Sequence, residues 1–358
     1  MTASGLSLAV RVLSAILAAL TAGALLILAA GSNPVEAYYA LFAESFFNYW
    51  GIANTLVKTS PMLLAGLAVI LPLRAGLFNI GAEGQIYLGG LFGTLAALSL
   101  PEIPGWIGIP VVLLAAMAGG ALWAAIPGFL RAYRGINEVI VTLLMNFIGI
   151  HIVSYAVSGP LLAAGAPYPY SEEVSEQFRL PILMQQTDTH VGVLIGVLAA
   201  AMLAAWLKLT PGGFALQLVG KNPAAARYAG VRTRRKMLLA MVIGGALAGL
   251  AGGIEVIGLK YRLFHLFSAG YGYDGIVVAF LAALNPLFAP LSAFFLAGLS
   301  AGAGTMQRAV GVEGAVVEAI QGLVILFVAA SLATTREGRS FLRRLFQINQ
   351  KSLKKVEA

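Results

Sequence analysis

The chain has 358 residues, of which 59% are hydrophobic and only 11% charged, with 42 glycines, no cysteine and a formal net charge of +8. A soluble domain carries about 25% charged residues, so this composition excludes a fold covered by water, and the lack of cysteine excludes disulfides, thiolate metal sites and thiol nucleophiles. A basic balance implies nucleic acid only where the cations form one soluble patch, and here they do not.

With lipid as solvent, backbone groups must be satisfied within the protein, which leaves helices or a closed barrel. Barrel strands alternate apolar and polar residues, whereas the apolar runs here are continuous and about twenty residues long, so helices are predicted. In chain order the runs cover 11–31, 52–72, 77–99, 106–127, 138–158, 190–209, 237–258, 272–285, 287–305 and 314–334. The first lacks a clear small-x-small cleavage site and reads as a retained helix rather than a signal peptide. Residues 34–50 are aromatic-rich and nearly uncharged, as expected of a helix lying at the outer interface. The eighth run is short and meets the ninth across Asn285-Pro286, so 272–305 reads either as two spans or as one re-entrant element.

Orientation follows from the cations. With the N-terminus inside, 18 of the 23 Lys and Arg residues fall on the cytoplasmic side, against Lys58, Arg179, Lys260, Arg262 and Arg308 on the other. That asymmetry follows the positive-inside rule, and an even number of spans also places the basic tail inside. The expectation is an all-α polytopic membrane protein of about ten transmembrane helices with both termini cytoplasmic. Residues 1–335 would form the membrane domain and 336–358 a basic cytoplasmic tail, the whole being multi-pass in the cell membrane.

The longest internal loop, 210–236, carries its own helix signals. Asn222 suits an N-cap and Pro223 the first helical position. Ala224, Ala225 and Ala226 favour helix, and Gly230 suits the C′ stop. A helix of about two turns is too short to span a membrane or to persist alone. It is either an interfacial helix held by headgroups, followed by the cations Arg232 to Lys236, or a rigid element that docks on a cytoplasmic partner.

The phrase VGKNPAAARYAGV around Gly220, Asn222, Arg227, Tyr228 and Gly230 resembles the coupling loop of ABC importer permeases of the branched-chain amino acid, ribose and nucleoside group. GLFNIGAEGQIYLGG (76–90), INEVIVTLLMNFIG (136–149) and GYGYDGIVVAFLAALNP (270–286) are similar to stretches of the same group, and the first two look most like nucleoside-type permeases. The resemblance covers about residues 50–330. It implies cytoplasmic ABC ATPase subunits that use ATP and Mg, a second permease as homo- or heterodimer partner, and an extracellular receptor lipoprotein of the basic-membrane-protein class. It also implies inward movement of a small polar solute, with nucleosides first and simple sugars or branched-chain amino acids as alternatives.

Polar groups inside a membrane are costly and call for a reason. Asn79, Glu83 and Gln85 open the 77–99 run among five glycines. Glu83 is either a water-exposed group at the inner end or part of an irregular segment lining a cavity; the residue density favours the second reading. Glu138 at a helix start suits the dipole. Asn146, mid-depth in the 138–158 run, reads as an interhelical bond, with solute contact as the alternative. Asp274 lies in Gly272-Tyr-Asp-Gly275, which echoes Gly81-Ala-Glu-Gly84 191 residues earlier, a pattern that an inverted repeat of helices 2–5 and 7–10 would produce. Glu255 is expected to pair with Lys260 or Arg262. The three histidines, His151, His190 and His265, have no metal-ligand spacing.

No P-loop motif, Ser/His/Asp arrangement or dinucleotide turn is present, so ATP hydrolysis would fall to a partner and the chain is expected to hold no cofactor. A self-sufficient secondary transporter or channel would need coupling groups of its own, for which Glu83 and Asp274 are the only candidates.

Overall fold

A computed structural model of the chain describes residues 3–311, together with 315–316, 318–320, 322–323 and 326–327. The tail at 336–358 and much of the 314–334 run lie outside the described residues. Regular structure is helical, with α1 (Ala3–Ala29), α2 (Pro34–Phe46), α3 (Tyr49–Arg74), α4 (Ala82–Ser99), α5 (Gly105–Arg134) and α6 (Glu138–Ser158) in the first half. The second half holds α7 (Gly192–Leu209), α8 (Pro211–Lys221), α9 (Pro223–Tyr228), α10 (Thr233–Glu255), α11 (Tyr271–Leu281) and α12 (Ala289–Val310).

Six helices among the described residues are long and apolar enough to cross a membrane: α3, α5, α6, α7, α10 with its extension to Lys260, and α12. The Ser14–Ala29 part of α1 and all of α11 are apolar but shorter. The 272–305 stretch resolves into α11 and α12, separated by Ala283 and Leu284 at φ 50° and 57°. Eleven residues of helix extend about 16 Å, roughly half a bilayer core, so α11 does not span alone.

The chain forms two compact units, residues 44–301 and residues 1–43 with 302 onward. In the smaller unit, Tyr38 Oη donates to the Leu20 carbonyl at 2.5 Å. The aromatic helix expected at 34–50 is present as α2, which starts where Asn33 Oδ1 accepts from Val35 N.

In the larger unit α3 is the axis, with Leu63, Leu64, Leu67, Ile70 and Leu71 fully buried. α4, α7, α10 and α11 pack against it, and α5 packs against α4 and α10. Lipid is as apolar as leucine, so helices in it associate by close backbone approach. The glycines supply that approach. A Cβ on Gly120 would stand 2.2 Å from the Gly245 carbonyl oxygen, and one on Gly252 2.0 Å from that of Ile86.

At the end of this unit away from α9, residues 169–180 are stapled to 257–265. Backbone bonds run from Ser171 N to Leu263 O, Val174 N to Tyr261 O and Leu180 N to Ile257 O, at 2.9–3.0 Å. Arg262 and Arg179 each reach Glu173 at 2.6 Å. The Arg262 guanidinium holds the Glu173 carboxyl below the usual carboxylate range. This corrects the expectation for Glu255. Arg262 is engaged by Glu173, while Glu255 is buried at 1% exposure, has Lys260 within electrostatic reach but makes no ion pair with it or any other described residue, and leaves Oε1 without a hydrogen-bond partner.

Candidate functional site

The N-termini of two helices, α4 and the short α11, meet beside the middle of α3. After α3 ends at Arg74, the chain turns back through the irregular stretch 75–81 instead of entering a helix at 77, and reaches the level of Ala68, whose carbonyl accepts from Asn79 Nδ2 at 3.3 Å. The helix α4 starts only there, at Ala82. From its other side α11 begins at Tyr271 and follows α3 toward Arg74: a Cβ on Gly275 would touch Ala65, and one on Gly66 would touch Val278. α4 runs the opposite way, along α10, with Gly89 on Gly249. The two N-termini therefore face each other in the interior and their helices diverge.

The contact between them is direct. Glu83 Oε2 accepts from Gly272 N at 2.7 Å. A Cβ on Gly272 would stand 2.2 Å from Glu83 N, so only glycine fits there. A carboxylate suits this place because it answers the unsatisfied N–H groups and positive end of α11. Glu83 is 2% exposed, which removes the reading of a water-exposed group at an inner end. Asp274, in the first turn of α11, is close enough for its charge and that of Glu83 to act on each other. The two Gly-x-acid-Gly motifs thus adjoin in space.

The amides hold the irregular stretch in place. Asn79 and Gln85 exchange two hydrogen bonds of 3.0 Å, and Asn79 Oδ1 also accepts from Gly81 N. Asn146 donates to Ile80 O at 2.9 Å and accepts from Gly84 N at 2.8 Å. This is the interhelical role expected of Asn146, directed at the backbone and, through Nδ2 at 3.4 Å, at the Tyr273 hydroxyl. Glu138 adds a third tie: it pairs with Arg131 at 3.0 Å and accepts from Phe78 N at 3.3 Å. All five candidate residues, Asn79, Glu83, Gln85, Asn146 and Asp274, belong to this one junction.

Sequence reasoning missed the surroundings of the junction. Tyr271, 6% exposed, lies within the electrostatic reach of Glu83, Asp274 and Glu255. The Tyr87 hydroxyl reaches Ser268 O at 3.4 Å, with the Tyr87 ring against Phe267. Lys58, counted from sequence among outer cations, lies ten residues into α3, where Nζ donates to the carbonyl and hydroxyl of Ser300 at 3.2 and 3.1 Å. These are ordinary membrane-helix residues whose role only the packing reveals.

The 210–236 stretch contains two helices, not one. Asn222 Oδ1 accepts from Ala224 N and Ala225 N at 3.1 Å and Pro223 stands at the first position, as expected of an N-cap and N1 pair. Gly230, at φ 78°, ends α9 in a Schellman arrangement, with Val231 N bonded to Ala226 O and Gly230 N to Arg227 O. Ala226 is buried, while Ala224, Ala225, Arg227 and Tyr228 are exposed, Tyr228 at 95%. The unexpected helix, α8, uses the same signal. Thr210 Oγ1 accepts from Gly213 N at 3.1 Å ahead of Pro211, and Leu216 and Val219 are fully buried. Gly212 and Gly213 had hidden it from propensity reasoning.

An all-helical membrane bundle with two helix N-termini meeting inside it and a short capped helix outside is the architecture of a permease-type protein. Residues 51–329 match the family model described as branched-chain amino acid transport system / permease component, and the chain belongs to that family. It is 38% identical to a glucose ABC transporter permease protein of Haloferax volcanii, over 92% of this chain and 90% of the relative. It is 37% identical to a guanosine ABC transporter permease protein of Bacillus subtilis, over 90% and 93%, and 31% identical to a nucleoside ABC transporter permease protein of Lactococcus lactis, over 86% of each. No solved structure matches the chain. The protein is the multi-pass membrane permease subunit of an ABC importer.

Proposed function

We propose that the chain carries nucleosides inward through a path that opens at the α4–α11 junction, driven by cytoplasmic ATPase subunits that grip α9. The observation that carries this reading is the meeting of two helix N-termini half-way along α3, with the buried Glu83 carboxylate bonded to Gly272 N at 2.7 Å. Interrupted helices at mid-depth, placed correspondingly in two halves of a chain, are where transporters bind and pass solute. The opposed directions of α4 and α11 and their shared Gly-x-acid-Gly starts support an inverted repeat. Asn79, Gln85 and Asn146 shape the path by fixing the chain at 75–84, and Glu83 and Asp274 supply its charge.

In this reading the α8–α9 end is cytoplasmic, in keeping with the cations around it, and ten spans complete the fold. A second permease completes the pore and an extracellular receptor delivers solute to the opposite end. ATP and Mg act in the ATPase partners. The guanosine and nucleoside permeases among the relatives support a nucleoside solute. The Haloferax glucose permease favours a simple sugar as the second reading. The test is competition in proteoliposomes holding the assembled transporter. Excess unlabelled guanosine should abolish uptake of labelled guanosine, while glucose leaves it unchanged; uptake of labelled glucose with none of guanosine would sustain the sugar reading instead.

A further inference from the structure

The segment α8–α9 is joined to α11 through the end of α3, although α8 and α11 are about sixty residues apart in sequence. At the α8 side the joint is backbone on backbone. A Cβ on Gly220 would stand 2.1 Å from the Arg74 carbonyl oxygen, and one on Gly76, whose φ is 78°, would stand 3.2 Å from Gly220 Cα. Because Gly220 lies against Arg74, Ala75 and Gly76, displacement of α8 along its axis bears on residues 74–76.

At the α11 side one polar tie adds to the packing of Gly66 on Val278 and of Phe78 on Phe280. Arg74 Nε donates to Leu284 O at 2.9 Å, just beyond the C-terminal end of α11. Ala283 and Leu284 both have positive φ, a conformation that non-glycine residues hold only where their surroundings impose it. A cation at a helix C-terminus also meets the negative end of the dipole. Thus α11 is held by polar contacts at both ends, at Leu284 by Arg74 and at Gly272 by Glu83.

We propose that Arg74 is the positioning residue that transmits displacement of α8 to α11, so that movement at α9 is delivered to the Glu83–Gly272 contact. This rests on the reading that ATPase subunits grip α9. Arg74 touches neither solute nor partner in this account; it sets the position of α11. A methionine has no donor at the ε position of arginine, whereas lysine keeps a cationic donor one bond beyond it.

The experiment uses the assembled transporter with its ATPases in proteoliposomes and measures three quantities for wild type, Arg74→Met and Arg74→Lys: ATPase co-purification, ATP hydrolysis, and solute moved per ATP. Loss of the charge-assisted Arg74–Leu284 bond at a mechanical joint should lower solute moved per ATP by about ten-fold in Arg74→Met. Co-purification and hydrolysis should persist, and Arg74→Lys should recover a substantial part of the transport. Wild-type transport per ATP in Arg74→Met would overturn the proposal. So would parallel loss of co-purification in both variants, since a purely structural role predicts that outcome. Failure of wild type to bind ATPase would instead strike the docking reading, and the two failures are therefore separable.

Discussion

Glu83→Ala is expected to lower solute uptake about ten-fold or more, with Glu83→Gln retaining most of it. The carboxylate accepts from Gly272 N at 2.7 Å in a site where Glu83 is 2% exposed. Alanine leaves a buried N–H without its acceptor, at a cost of about 1–3 kcal/mol, and each 1.4 kcal/mol is a ten-fold shift in population. Glutamine keeps an acceptor oxygen of nearly the same reach. The lost energy falls on the contact between two diverging helices, so it should appear in transport more than in global stability. Initial uptake rates in proteoliposomes, taken beside a thermal midpoint, separate the two. Wild-type uptake by Glu83→Ala would remove the junction from the transport path.

Ala225→Arg is expected to abolish ATPase co-purification and reduce ATP-driven uptake to background, while the variant inserts and folds as wild type. Ala225 is exposed on α9, and its backbone N–H is satisfied by Asn222 whatever the side chain, so the helix itself is untouched. A bulky cation at the centre of a small docking surface removes interface energy of at least about 2 kcal/mol. Ala226→Arg provides the contrast. Ala226 is fully buried, and an arginine there should destabilise α9 against its own support, seen as lower yield and a lower thermal midpoint. Normal co-purification by Ala225→Arg would mean that α9 is not the docking element.

Much of this was legible in the sequence because membrane helices declare themselves locally. The 138–158 run and α6 coincide, since a capping Asn137 and a terminal Gly159 bound it in sequence as in space. α9 was legible for the same reason: Asn222, Pro223 and Gly230 each act through their own backbone geometry. The glycines and amides of 76–90 pointed to an irregular stretch, but the start of α4 at Ala82 was not legible. Residues 77–81 continue an apolar run, and only bonds from Ala68, Gln85, Asn146 and Glu138 show why they stay irregular. The echo of Gly81–Gly84 in Gly272–Gly275 could be read from sequence, but its meaning could not, because a contact spanning 189 residues leaves no local trace. Glu255 misled for a related reason. Its nearest cations in sequence suggested an outer ion pair, whereas the staple at 169–180 places Glu173 beside Arg262 first.

The proposed role makes this chain a conduit whose opening is set by the ATPase subunits that grip α9. The most direct measurement is solute uptake into proteoliposomes reconstituted with and without the ATPase subunits, each with and without ATP. Uptake confined to liposomes holding both the ATPases and ATP is the predicted result. Uptake along an ion or solute gradient by the permease alone would contradict the claim.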